Sequence, residues 1–481
     1  MSAPPSFPFK EGPRPYQVEA LNAWIANGCQ GFFAMATGTG KTVTALNCLL
    51  DYYQDLCRYR CLLLVPTLSL VEQWVRELRK FNFTNIVKIS SKERSWKDNI
   101  TRITASAYLD KTSSFAVIST YASFARTTVL AWLEELPNDT LVIADEAHNL
   151  GSPLLIQAMN RLPLKMRLGL SATAKRQYDH IGNAAINRYF NIGDHYTFEY
   201  SMKEAIDNDV LCHYVYFPHV VRLNETEMEY YSTLSRKIAK YYNPDTDSFD
   251  DDPILTALLI KRKRIIHKAA AKIPAFESII NRMYEKKGTL KYTMVYAPEG
   301  VSPSDDIYYA AIDDQDFVEE DGLPMINIYT KIVSQVNEKI TVEQFTSKDT
   351  DRPRILEDFT NGVTQVLVAM RCLDEGIDVP RAENAIFISS TGNPRQFIQR
   401  RGRILRTHPD KPKACIHDLV VAPYVELSYE AFRMERSLIQ NELRRVQDFA
   451  AMADNPEFTK NELAEIVDYY GLNLFSDEQD R

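Results

Sequence analysis

Residues 31–42, GFFAMATGTGKT, constrain the fold more than any other stretch of the chain. The apolar run Phe32, Phe33, Ala34, Met35 stops at Thr37, Gly38, Thr39, Gly40, Lys41 and Thr42, and apolar residues at helical spacing (Val43, Ala45, Leu46, Leu49, Leu50) follow at once. A strand, a glycine turn and a helix are predicted in that order. Such a turn aims consecutive backbone N–H groups and a helix N-terminus at one point, where phosphate oxygens can be held. Lys41 adds a mobile charge and Thr42 a hydroxyl for Mg²⁺. One position departs from the phosphate-loop pattern GxxxxGK[ST], because Met35 stands where its first glycine would be.

Corroboration has to come from the rest of the chain. At 481 residues it is too long for one core, and 45% hydrophobic with 25% charged residues is an ordinary globular composition. No apolar run approaches the ~20 residues that span a bilayer, and MSAPPSFPFKEG lacks the basic start and apolar centre of a signal peptide, so a cytoplasmic protein is expected. The seven cysteines are odd in number and scattered without a CxxC pair, which argues against a zinc site and a disulfide framework. With a net charge of −8, any nucleic-acid surface must be a local basic patch.

Short β-rich runs alternate with helical patterns from the phosphate loop to about residue 213, at 61–67, 115–120, 141–144 and 166–170, which implies a parallel sheet covered on both faces. Residues 216–223 read as one more strand. Polar residues follow most of these strands, at the edge where open α/β sheets bind ligands. Residues 225–242 and 254–285 are helical, the latter carrying Lys261, Arg262, Lys263 and Arg264. That charge run reads either as a solvated helix face or as a patch contacting a nucleic-acid backbone. A second alternating series begins at 292–296 and runs through 326–329, 365–369, 385–388 and 413–419 with helices at 353–360 and 396–403; residues 299–323 form an acidic insertion and 426–474 a helical tail.

Asp145 and Glu146, at the end of an apolar strand, are the partners a phosphate loop needs: one carboxylate holds Mg²⁺ and its neighbour orients or deprotonates the water that attacks the γ-phosphate. In QRRGRILR, Arg403 and Arg406 lie three apart, on one helix face or at its end, and follow Gln399. Guanidinium groups suit the charge on a transferring phosphoryl group. Upstream, DEGIDVP places Gly376 and Asp378 in a glycine turn flanked by carboxylates.

In this order the motifs resemble those of superfamily 2 helicases and translocases of the DEAH type. RPYQ (Arg14, Gln17) is similar to the adenine-side motif, ATGTGKT to motif I, VPTLSLVEQW to Ia, ISTYASF to Ib, DEAH to II and SAT to III. MVYAP, AMRCLDEGIDVP and QFIQRRGRILR are similar to motifs IV, V and VI. The likeness covers residues 14–420, and RPYQ with QRRGRILR is closer to the branch of XPB-like proteins and type I and III restriction motors than to DEAD-box RNA remodellers.

The resemblance implies an α/β fold of two RecA-like parallel-sheet lobes with a helical insertion and a helical C-terminal tail, divided as 1–215, 216–290, 291–422 and 423–481. ATP would lie in the cleft between the lobes. Arg14 and Gln17 would face adenine, Thr37 to Thr42 the phosphates and Mg²⁺, Asp145 the Mg²⁺ and Glu146 the water. Gly376, Asp378, Gln399, Arg403 and Arg406 would complete the site from the other lobe. Thr67, Thr120 and Arg371 would touch nucleic acid, and Ser171 and Thr173 would couple hydrolysis to movement. DNA is the expected partner, in repair, restriction or phage defence, with a partner chain supplying any nuclease. RNA unwinding, or an ATPase clamp that separates no strands, fits the same motifs.

Overall fold

The computed structural model describes residues 3–90, 93, 95–173, 179–243, 246, 248–249, 252–301, 324–346, 349, 351–370, 379, 381–388 and 394–474. The chain divides between Leu211 and Cys212 into two compact units.

The first unit is built on seven parallel strands: β1 (Gln30–Met35), β2 (Arg60–Val65), β3 (Ile86–Ile89), β4 (Phe115–Thr120), β5 (Leu141–Asp145), β6 (Arg167–Ser171) and β7 (Phe198–Tyr200). Their order across the sheet is β3-β4-β2-β5-β6-β1-β7. β2, β4 and β5 are buried along their whole length, as parallel strands covered on both faces must be, and fully burying a residue such as Leu62 or Leu63 stabilises by roughly 1.5–3 kcal/mol. Gly169 in β6 answers a close approach, because a Cβ there would sit 2.6 Å from the Phe32 ring. β6 lies between β1 and β5, pairing Ser171 with Ala34 and Leu170 with Asp145. The strand ends carrying the phosphate loop, Ser171 and Asp145 are therefore neighbours, with Val65 and Thr120 paired on the next two strands, β2 and β4.

The second unit holds a two-residue hairpin, β9 (Tyr242–Asn243) with β10 (Ser248–Phe249), and a six-stranded parallel sheet. That sheet comprises β8 (Tyr214–Val221), β11 (Thr293–Tyr296), β12 (Val342–Phe345), β13 (Val366–Ala369), β14 (Asn384–Phe387) and β15 (Ala414–Val421), in the order β12-β13-β11-β14-β15-β8. β8 pairs with β15 throughout, so the helices between residues 225 and 287 lie within this unit, between two strands of one sheet. The tail helices, Tyr429–Ala450 and Pro456–Tyr470, are anchored to the same sheet. The Tyr214 hydroxyl donates to the Phe449 carbonyl at 2.6 Å, and Asn455 bonds both the N–H and the carbonyl of Tyr216. Residues 326–329 fall in a helix, Met325–Val336, and the edge strand β12 carries no pattern that marks it in the sequence. The acidic stretch 302–323 lies outside the described residues.

The charge run at 261–264 divides. Lys261 and Arg264 are exposed, whereas Arg262 is buried. Arg262 Nη2 donates to Glu435 Oε1 at 2.7 Å, the guanidinium lies 4.8 Å from the Tyr231 ring, and Glu435 also accepts from the Tyr231 and Ser235 hydroxyls. A patch facing a nucleic-acid backbone therefore cannot include Arg262, whose partner is already inside the fold. Among the described residues, no helix is long and apolar enough to cross a membrane, and no group of three or more His, Cys, Asp or Glu is placed to hold a metal ion.

Candidate functional site

In the loop between β1 and α2 (Lys41–Leu56), Gly38 and Gly40 take φ of +91° and +81°, the left-handed region that favours glycine. Gly40 caps α2, and a Cβ there would approach Gln17 Nε2 to 3.2 Å. Met35, by contrast, is the last residue of β1, fully buried and without positive φ. The reversal begins after it, so the missing glycine removes nothing the loop uses. Thr39 is held by its hydroxyl donating to the Ala36 carbonyl at 2.7 Å, and Lys41 Nζ reaches the Met35 carbonyl at 3.3 Å. The Thr37 hydroxyl is buried with no hydrogen-bond partner. Buried polar atoms are almost always bonded, so this cradle, with an orphaned hydroxyl and a lysine, fits an anionic ligand such as a nucleotide phosphate.

α1 (Pro15–Ala26) is fastened to that loop. Gln17 Oε1 accepts the Arg14 N–H at 2.9 Å, and the Tyr16 hydroxyl donates to the Thr39 carbonyl at 2.5 Å while its ring stacks on Tyr200, centroids 4.2 Å apart and 8° from parallel. Sequence reasoning singles out Arg14 and Gln17 of RPYQ but not Tyr16, and Tyr200 has no local signal; only the fold brings β7 beside β1.

Asp145 ends β5, nearly buried. Its Oδ2 accepts the Trp74 indole N–H at 2.9 Å and its Oδ1 the Glu146 N–H at 3.0 Å. Burial raises its pKa, and the Trp74 bond and the Lys41 charge oppose that rise. Glu146 sits at φ 48°, ψ 49°, a left-handed conformation that costs a side-chain-bearing residue about 1–3 kcal/mol and that clusters at functional sites. Its Oε2 lies 3.4 Å from both Ser171 Oγ and His148 Nδ1, and those two atoms are 3.0 Å apart. Ser171 Oγ in turn accepts the Thr173 N–H at 3.1 Å, while the Thr173 hydroxyl is buried and unpartnered. Glu146, His148, Ser171 and Thr173 thus form one connected group; His148 is the member to which sequence reasoning assigns no role, although it stands in DEAH.

Thr67 and Thr120 open helices at the same sheet edge, each hydroxyl accepting a backbone N–H from the first turn. Arg371, Gly376 and Asp378 lie outside the described residues. In the second unit, Gln399 and Arg403 lie on the helix Pro394–Ile404, and Arg406 falls just past its end. Arg400 lies 4.8 Å from the Tyr296 ring and Arg401 4.4 Å from that of Phe449, with Arg401 Nη1 also donating to the Asp448 carbonyl, so these two serve packing. Burial lowers Arg406 to about 10, which leaves it charged at neutral pH.

A strand-loop-helix cradle fit for phosphate beside two strand-end carboxylates, and a second parallel-sheet unit with an arginine-bearing helix, are the features that superfamily 2 helicases and translocases would share with this chain. Residues 10–176 match the family model described as type III restriction enzyme, res subunit, and residues 318–408 that of the helicase conserved C-terminal domain. The chain is 26% identical over 397 residues to the DNA 3'-5' translocase XPB2 of Sulfurisphaera tokodaii, covering 82% of this chain and 78% of that protein. It is 25% identical over 470 residues to the XPB subunit of general transcription and DNA repair factor IIH of Encephalitozoon cuniculi, covering 93% and 57%. Its fold resembles the ATP-dependent type ISP restriction-modification enzyme LlaBIII bound to DNA (TM-score 0.59, 17% identity, 97% of this chain but 33% of that one) and the Hef helicase domain of Pyrococcus furiosus (TM-score 0.52, 16% identity, 85% and 95%). The chain belongs to the superfamily 2 DNA helicases and translocases, on the branch that holds XPB-like translocases and restriction motors.

Proposed function

We propose that this chain hydrolyses ATP with Mg²⁺ to move along, or separate the strands of, DNA in the cytoplasm. The observation that carries the reading is the meeting at one sheet edge of the left-handed glycine loop, with its orphaned Thr37 hydroxyl, and the Asp145–Glu146 pair. Thr37, Gly38, Thr39 and Gly40 offer the backbone cradle, Lys41 neutralises phosphate charge, and Arg14 and Gln17 face adenine. Thr42 and Asp145 would hold Mg²⁺, which when bound offsets charge on the phosphate oxygens. Glu146 orients and deprotonates the attacking water, and Ser171 and Thr173, bonded in its group, sense its state. Gly376, Asp378, Gln399, Arg403 and Arg406 take part in nucleotide hydrolysis. Thr67, Thr120 and Arg371 contact the polymer backbone, which predicts weak sequence preference and strong salt dependence. The chain spans a third of LlaBIII, and we place it as the motor of a repair, restriction or phage-defence system whose other activities come from partner chains.

The test is ATP hydrolysis by the purified chain alone and with single-stranded DNA, duplex DNA or RNA, beside Glu146→Gln. DNA stimulation that vanishes in the variant is expected. Stimulation by RNA alone would move the substrate to RNA, and hydrolysis indifferent to every polymer would leave an ATPase switch and overturn the motor.

A further inference from the structure

Asp145 is held from two directions by helices that begin at the two threonines expected to touch nucleic acid. α3 (Leu68–Lys80) starts after Thr67, and two turns in, the fully buried Trp74 commits its indole N–H, the only donor of that side chain, to Asp145 Oδ2 at 2.9 Å. The short helix Tyr121–Phe124 starts after Thr120, and its first residue donates its hydroxyl to the Asp145 main-chain carbonyl at 2.6 Å. Trp74 and the Glu146 N–H, one on each oxygen, fix the rotation of the carboxylate, and Tyr121 fixes the main chain that carries it. Trp74 and Tyr121 are both buried, so neither can follow the polymer by itself; each moves only with its helix.

We propose that Trp74 and Tyr121 are positioning residues that transmit polymer contact at Thr67 and Thr120 to Asp145. This rests on the reading that Asp145 holds Mg²⁺. Packed side chains and hydrogen bonds with discrete arrangements are the physical means by which separate sites couple, and partners that orient a metal ligand typically govern about 10–100-fold in metal affinity or activity.

The experiment uses the full chain with Trp74→Phe and Tyr121→Phe, each of which keeps an aromatic ring and deletes one donor. Trp74→Phe is expected to raise the half-saturating Mg²⁺ concentration about tenfold, to leave the KM for ATP at saturating Mg²⁺ in place, and to lower the ratio of DNA-stimulated to unstimulated turnover. Tyr121→Phe is expected to lower that ratio as well. Independently of turnover, Trp74, one of four tryptophans, should change its emission when Mg²⁺ and a non-hydrolysable ATP analogue are added, and Trp74→Phe should lose that component. Wild-type Mg²⁺ requirement and stimulation ratio in both variants would overturn the proposal. Should Trp74→Phe fail to fold, the ratio in Tyr121→Phe decides. A wild-type protein whose turnover and emission ignore Mg²⁺ would overturn the assignment of Asp145 itself, and this proposal with it.

Discussion

Replacing Arg262 by Met should show that one run of four basic residues performs two separate jobs. The substitution keeps the aliphatic stem and strips Glu435, a side chain with 0% exposure, of its cation. Breaking a buried pair from one side costs about 3–5 kcal/mol, because the other charge stays desolvated. The Tyr231 and Ser235 hydroxyls still donate to Glu435, which places the expected loss near the lower end, about 3 kcal/mol. At a urea slope of about 3 kcal/mol per molar, the midpoint for the second unit falls by ~1 M. Adding Glu435→Gln removes the stranded charge and keeps an acceptor for one hydroxyl and an N–H donor to the other, which can accept, so the double variant should regain most of that loss. Lys261→Ala with Arg264→Ala touches only exposed side chains and should stay within about 0.5 kcal/mol of the parent. Urea unfolding followed by circular dichroism reads all three. A loss below about 1 kcal/mol for Arg262→Met, or an equal loss for the two exposed residues, would refute the argument.

Other outcomes follow from single side chains. If Lys261 and Arg264 each neutralise a phosphate of the DNA backbone, their double alanine variant should lower the slope of log K against log salt by about 1.4, or 0.7 for each single-strand phosphate left without its cation; an unchanged slope removes them from the interface. Restoring the consensus glycine by Met35→Gly should not tighten binding of a fluorescent ATP analogue, and should destabilise the first unit by at least the 2–5 kcal/mol that truncating a buried methionine costs; tighter binding would show that the loop begins earlier than Gly38. Burial first, and then the charges of neighbours that include Arg282, push His219 down to about 4 and His417 to about 3 from the ordinary 6.5. Both folded values lie below the unfolded one, so their contribution is present above pH 6.5 and is lost as the pH falls toward 4, by about 2 kcal/mol per ring at pH 5. Urea midpoints between pH 7 and 5 should fall accordingly, and His417→Phe should flatten the decline.

What could be read in the sequence was what a strand end announces locally. A glycine turn, a carboxylate pair after an apolar strand and a serine after another each mark the sheet edge without help from the rest of the chain, and that edge is where they lie. What holds them there is distant: Trp74 and Asp145 are 71 residues apart, and Tyr16 meets Tyr200 only because β7 closes beside β1. The run at 261–264 is different, because its division was legible and hidden only by treating four basic residues as one patch. Leu255, Leu258, Leu259, Arg262, Ile265, Ile266 and Ala269 recur at the three-and-four spacing of one helix face, and the face is apolar except at Arg262. A cation at the centre of an apolar stripe must find an anion inside the fold or leave the stripe unburied. The periodicity therefore separates Arg262 from Lys261 and Arg264 before any coordinates are known, and predicts a buried acidic partner. Which acid it would be could not be read, because Glu435 stands 173 residues away on a helix whose sequence carries other glutamates at similar spacing, Glu430 and Glu442 among them. Only the packing of that helix against the one bearing Arg262 answers this, bringing Glu435 to 2.7 Å and Glu442 to 3.6 Å of the guanidinium.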